Sequence, residues 1–131
     1  MAFTSTIDQA FLDHFFGLAS WTAPTQWWAG YSTADPGKTG AGLAEPDHGT
    51  TDYHRVQVLS AGWGRTTSTV DNEAVIEFAP TTGSQGHVTH ACLFDGAAGS
   101  LIWSAELTVH KDIGSGETPR FAAGTFDVTI S

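Results

Sequence analysis

Residues 87–110 read HVTHACLFDGAAGSLIWSAELTVH. Two runs rich in Val, Thr, Phe and Ile flank DGAAGS, a hairpin-sized loop around Asp95-Gly96. In the second run Leu101, Trp103, Ala105, Leu107 and Val109 share one face of a strand, and Ser104, Glu106, Thr108 and His110 share the other. Such alternation marks an antiparallel strand with one buried and one wet face. Further strands are expected outward from this hairpin, at about 26–32, 53–60 (YHRVQVLS), 74–79 (AVIEFA) and 125–130 (TFDVTI). Six short strands, Gly-rich connections and no second helix for a crossover predict an all-β fold. The expected architecture is an antiparallel β-sandwich carrying one short N-terminal α-helix, with residues 1–131 forming a single domain and the sandwich spanning 26–131.

The helix is expected at about 6–16. TIDQ, residues 6–9, matches a capping box in which Thr6 and Gln9 satisfy each other's amides. Ile7, Ala10, Phe11, His14, Phe15 and Leu18 follow the spacing of one helical face, and Gly17 suits the left-handed residue that ends a helix. Leu12 and Phe16 stand about 100° around from Phe11 and Phe15. The apolar arc is therefore too wide for one contact, and the helix should touch two things.

The strand at 26–32 places Trp27, Ala29 and Tyr31 on one face and Trp28, Gly30 and Ser32 on the other. One core cannot take both tryptophans. The outer one is expected under the N-terminal helix or under another molecule. Trp63, Trp103, Phe78, Phe94 and Phe126 are expected in the core with Trp27. Residues 33–52, TADPGKTGAGLAEPDHGTTD, form a long loop dense in Gly, Pro and Asp, of a length that is functional or mobile in small domains.

Charge narrows the partners. The net charge is −9; residues 1–65 carry three cations against six anions, and residues 66–131 two against eight. This field repels phosphate backbones and anionic lipid, so no nucleic acid and no membrane partner is expected, whereas a basic protein surface would attract it. No basic segment followed by an apolar run opens the chain, so no signal peptide is expected. Cys92 is the sole cysteine, which excludes an internal disulfide and a Cys-based zinc site. Mid-strand among apolar neighbours, it should behave as a small hydrophobe with a raised pKa.

Catalytic patterns are sparse. His87 and His90 in HVTH lie three apart and face opposite ways in a strand, so they cannot chelate one ion. His48 and His54 could join a site only through tertiary approach. Asp35, Asp47, Asp52, Asp71, Asp95 and Asp112 fall in loops without the alternating ligand spacing of a calcium loop. Glu73 and Glu77 are not marked as an acid/base pair, and no nucleophile elbow or phosphate-cradling loop is present. No cofactor, no metal and no enzyme activity are expected.

LDHFFGLASWTAPTQWWAGYSTADP, residues 12–36, resembles the opening of a family of short tailed-phage virion proteins labelled tail fibre, minor tail or head-decoration proteins. The elements that carry the resemblance are Leu12, Asp13, His14, Gly17, Trp21, Thr22, Pro24, Tyr31 and Ser32 to Pro36. HVTHACLFD, LIWSAELT and RFAAGTFDVTIS resemble the family's later strands, so the likeness spans nearly the whole chain. It implies a non-enzymatic virion subunit, made in the bacterial cytoplasm, that multimerises and attaches to a capsid or tail protein. The expectation is a compact decoration or minor structural subunit, a homo-oligomer with a trimer as its guessed symmetry. Its interface would be drawn from Phe11, Leu12, Phe15, Phe16, Trp21, Trp27, Trp28 and Tyr31, because interfaces are rich in aromatics and poor in Lys. Two alternatives stay open: a carbohydrate-binding module using the 33–52 loop and an exposed Trp, and a metal-dependent sandwich enzyme built on His54, His87 and His90.

Overall fold

A computed structural model describes residues 2–129. The chain runs β1 (Ala2–Phe3), α1 (Ser5–Phe15), β2 (Trp28–Ser32), α2 (His48–Thr51), β3 (Val56–Gln57) and a 3₁₀ turn (Ser60–Gly62). It continues with β4 (Trp63–Thr66), β5 (Thr69–Asn72), β6 (Ile76–Glu77), β7 (Gly86–Phe94), β8 (Leu101–Ile113), β9 (Arg120–Phe121) and β10 (Val128–Thr129). One sheet has the order β1-β8-β7-β2-β3, a second β10-β5-β4 and a third β6-β9, all pairs antiparallel.

The core lies between these layers. Ala29, Tyr31, Ala91, Leu93 and Trp103 of the large sheet meet Ile76 of β6 together with Phe78 and Phe126 from the segments flanking the smaller sheets. Ring centroids of Trp103 and Phe126 are 5.3 Å apart, and those of Tyr31 and Phe78 4.7 Å. The first pair is tilted and the second edge-to-face, and ring contacts of this kind add to the area buried. The antiparallel all-β fold with one N-terminal helix of several turns is as expected from the sequence.

The central hairpin departs from perfect alternation in two places. Leu93 pairs with Trp103 but Phe94 pairs with Leu101, which leaves Ile102 as an extra residue. The bulge turns Ile102 into the core and moves Leu101 to the opposite face, against Gly40, correcting the expected placement of Leu101 beside Trp103. Further along, Val88 pairs with Lys111 and His90 with Glu106, so four residues of β8 oppose one of β7. Val109 is consequently exposed, although the alternation had placed it on the buried face.

Strands lacking apolar alternation escaped the sequence. WGRTTSTVDN forms the β4–β5 hairpin, closed by the two residues between Thr66 and Thr69, with Thr67 at φ 55°. Its anchor is Asn72, fully buried. Its Nδ2 donates to the carbonyls of Ala74 (2.8 Å) and Ala122 (3.0 Å), and its Oδ1 accepts from the amides of Thr125 (3.1 Å) and Phe126 (2.9 Å). Conversely, the strands expected over 53–60 and 74–79 shrink to two paired residues each. Of the expected closing strand 125–130, only Val128–Thr129 pairs, and residue 130 lies outside the described residues.

The helix begins earlier than its sequence signal. The amide of Thr4 donates to Ile102 O (3.0 Å) and that of Ser5 to Lys38 O (2.8 Å), so tertiary bonds set the start and Thr4 becomes the N-cap. The Thr6–Gln9 capping box does not form, because Thr6 already lies inside the first turn. The end is as expected. Gly17 has φ +72°, its amide donates to His14 O and that of Leu18 to Asp13 O, the paired bonds of a Schellman motif.

Candidate functional site

The eight aromatic and apolar residues expected at an interface separate into four environments. Phe11, Leu12, Phe15 and Phe16 stand out on α1, 49%, 53%, 70% and 68% exposed, with Leu18 beyond them at 76%. No residue of α1 is fully buried; Ile7 alone among its apolar side chains packs against the core. Phe11 and Phe15 stack at 6.1 Å, and Phe16 meets Phe15 edge-on at 5.1 Å, so the three rings form one continuous patch. The helix is fastened at its base instead, where Lys38 Nζ donates to Phe3 O (2.7 Å) and pairs with Asp8.

Trp21 and Trp27 occupy a second environment. With Phe3, Ile7, Pro24 and Trp63 they line an apolar groove of about 350 Å³ that begins one helical turn before Phe11. The Nε1–H of Trp63 is buried and has no partner among the described residues.

Tyr31 is a core residue, 2% exposed, its hydroxyl bonded to Gln85 Oε1. Burial outweighs that bond and holds its pKa above the usual tyrosine value.

Trp28 faces the other side of the large sheet, as the strand period requires, and α1 does not close that face. The chain's own 45–55 segment does so. Arg55 makes a two-pronged pair with Glu45 (Nε to Oε1 2.9 Å, Nη2 to Oε2 2.8 Å), and its Nη1 donates to the carbonyls of Gly96 and Gly99. The guanidinium carbon lies 3.4 Å above the Phe94 ring, a cation–π contact in a largely buried setting. Tyr53 Oη donates to Glu45 Oε1 (2.7 Å) and accepts from the Tyr31 amide (3.2 Å). Gly30 makes the closure possible: a Cβ there would fall 2.4 Å from Tyr53 Oη and 2.9 Å from Phe94. Beneath lies Cys92, whose thiol is pushed up to about 12 by burial, with the Glu45 charge adding to it. Trp28 itself stays half-buried at the rim of a shallow cleft of about 340 Å³ shared with Glu45, His48, His54 and Arg55.

The histidines divide as the strand period dictates. His90 is mostly buried, 3.7 Å from Asp35, while His87 is exposed beside Asp112 (2.7 Å) and His110 (3.3 Å). His54 is not with His87 or His90; it lies against His48 and Asp52. The sequence held one trace of that meeting, the local spacing His-x₃-Asp-x-His, but the left-handed turn at Asp52 that closes it carries no residue signal. Arg55, Glu45 and Asn72 had no sequence signal beyond being polar residues near apolar strands.

No curated protein matches the chain. A family model described as "Podophage GP4 fiber I protein gp80" matches residues 2–129, very nearly the whole length. The chain therefore belongs to the podophage GP4 fiber I protein gp80 family, a family of short-tailed phage virion structural proteins.

Proposed function

We propose that this chain is a non-enzymatic building block of the virion, a small subunit that self-associates through the aromatic patch of α1 and, as that oligomer, docks on a larger capsid or tail component. The observation that carries the proposal is the continuous exposed surface of Phe11, Leu12, Phe15, Phe16 and Leu18. The three phenylalanines alone expose on the order of 350 Å², as large as the whole of a typical monomer's largest apolar patch. Covering them would contribute roughly 9 kcal/mol per copy before the costs of association. The groove of Trp21 and Trp27 extends the same surface. Three copies are the preferred number, and a net charge of −9 favours a basic docking partner.

The test is the mass of the purified protein by light scattering, alongside Phe15→Asp and Phe16→Asp. The expected outcome is an oligomer for the wild type and a folded monomer for both variants. A monomeric wild type, or variants that keep the oligomer's mass, would overturn the proposal.

A second function is favoured by the cleft. Trp28 offers a partly exposed ring beside Glu45, His48, His54 and Arg55, the pairing of a stacking face with polar groups that sugar rings require. Titration of neutral oligosaccharides should quench tryptophan fluorescence in the wild type and not in Trp28→Ala if the subunit also recognises host glycans.

A further inference from the structure

Helix α2 ends at Asp52, which takes the left-handed conformation (φ 57°) while its amide donates to His48 O at 3.0 Å. That reversal brings His48, Asp52 and His54 onto one side of the turn. One potential ligand atom from each lies within 4.8 Å of the other two, and the two imidazole centroids are 4.2 Å apart. Ligands around a tetrahedral zinc ion, each about 2.0–2.2 Å from the metal, sit roughly 3.3–3.6 Å from each other. Small side-chain rotations would reach that spacing.

One histidine is already oriented. His48 Nδ1 lies 3.1 Å from the carbonyl oxygen of Tyr53. A carbonyl only accepts, so Nδ1 carries the proton and Nε2 is left with the lone pair a metal takes; an outer hydrogen bond of this kind fixes the tautomer of metal-binding histidines. His54 Nε2 donates to Asp52 Oδ1 at 3.0 Å, so these two groups already face each other; a metal would take the place of that proton, which moves to Nδ1 of the same ring. The nearby Arg55 does not oppose a cation, because Glu45 neutralises it in a two-pronged pair.

The geometry points to a divalent metal site formed by His48, Asp52 and His54, taking a transition ion of zinc's class through two imidazole nitrogens and one carboxylate oxygen, with further positions open. Two nitrogen donors select against calcium and magnesium, which prefer oxygen. The bound ion fastens α2 to the chain leading into β3, and so clips down the segment that closes the outer face of the large sheet. This site is independent of the α1 interface.

Zinc chloride titrated calorimetrically into the tag-free, chelator-treated full chain should show one saturating site. His48→Ala and His54→Gln should each weaken it by about tenfold or more, since loss of even an outer-shell partner costs that much. The double variant His87→Ala/His110→Ala, which removes the other exposed histidine pair, should bind as the wild type does. The single-site variants are at exposed positions, and circular dichroism checks that they fold. Absence of saturable binding, or binding that survives His48→Ala and His54→Gln, overturns the proposal; so does binding lost only in the His87/His110 variant.

Discussion

Two aromatic surfaces of this protein meet opposite fates. The outer face of the large sheet carries Trp28, Phe94 and Cys92 and is roofed by residues 45–55 of the same chain, with Arg55, Glu45 and Tyr53 as the fastening. Helix α1 carries Phe11, Phe15 and Phe16, and no segment among the described residues closes over them. The difference lies in polar anchoring. The roof brings a guanidinium, a carboxylate and a phenol that satisfy one another and the Gly96 and Gly99 carbonyls, so apolar surface can be closed without orphaned polar groups. The α1 patch is apolar only, and the helix is tied to the sheet side at its base, through Lys38. A closed face stabilises the fold; an open one is available to a partner.

The sharpest way to break this contrast is to remove the fastening. Arg55→Met should destabilise the chain by about 3–5 kcal/mol in urea unfolding, because the Glu45 carboxylate would stay behind, largely buried and unpaired. A loss under 1 kcal/mol would mean that the roof is dispensable.

Next in size is Gly30→Ala. The added methyl has no room beneath Tyr53 and Phe94, and overpacking of this kind costs about 1–3 kcal/mol. If thermal unfolding is unchanged, the roof is looser than the distances imply.

Alkaline titration sharpens the comparison from another side. Burial raises the pKa of Tyr31 and Tyr53 above the usual tyrosine value, reinforced at Tyr53 by the Glu45 charge, and pushes Cys92 up to about 12. The folded state thus keeps protons that the unfolded chain releases from about pH 8.5 for Cys and about pH 10 for Tyr. Stability is fully present below that range and falls as pH rises toward the folded-state values, at up to about 1.4 kcal/mol per pH unit for each group. Denaturant midpoints measured from pH 8 to 11 should decline progressively, and Cys92 should resist thiol reagents at pH 8 until the chain unfolds. A flat profile would contradict the burial of these groups.

The smallest expected effect is on the open surface. Measured on the dissociated monomer, Phe15→Ser and Phe16→Ser should each change folding stability by within about 0.5 kcal/mol, as ordinary exposed positions do. A loss above 2 kcal/mol would make α1 part of the private core, and the contrast between the two surfaces would fail.

Much of the architecture was legible because period and punctuation are local. Alternation in 100–110 announced β8, the flanking turn residues announced the hairpin, and Gly17 marked the helix end. The opposite orientation of Trp27 and Trp28 followed from the strand period alone. What roofs Phe94 on that same face did not, since Arg55 reaches Glu45, Gly96 and Gly99 across separations no pattern encodes. The bulges that turn Ile102 inward and Val109 outward break the very alternation used to find the strand. The β4–β5 hairpin went unseen because its hold is one buried amide side chain, Asn72, and not a run of apolar residues. The meeting of His48, Asp52 and His54 depended on a left-handed residue that the sequence had no reason to require at an aspartate.

By itself, then, the sequence determined the all-β class, the short N-terminal helix with its over-wide apolar arc, and the absence of any local catalytic motif, because each is written in spacings of two to four residues. Only the tertiary structure decided which aromatic surface is closed and which is open, and which histidines share a site. The closed face depends on Arg55 finding carbonyls more than forty residues away, and the histidine meeting on a left-handed backbone at Asp52; a linear pattern records neither.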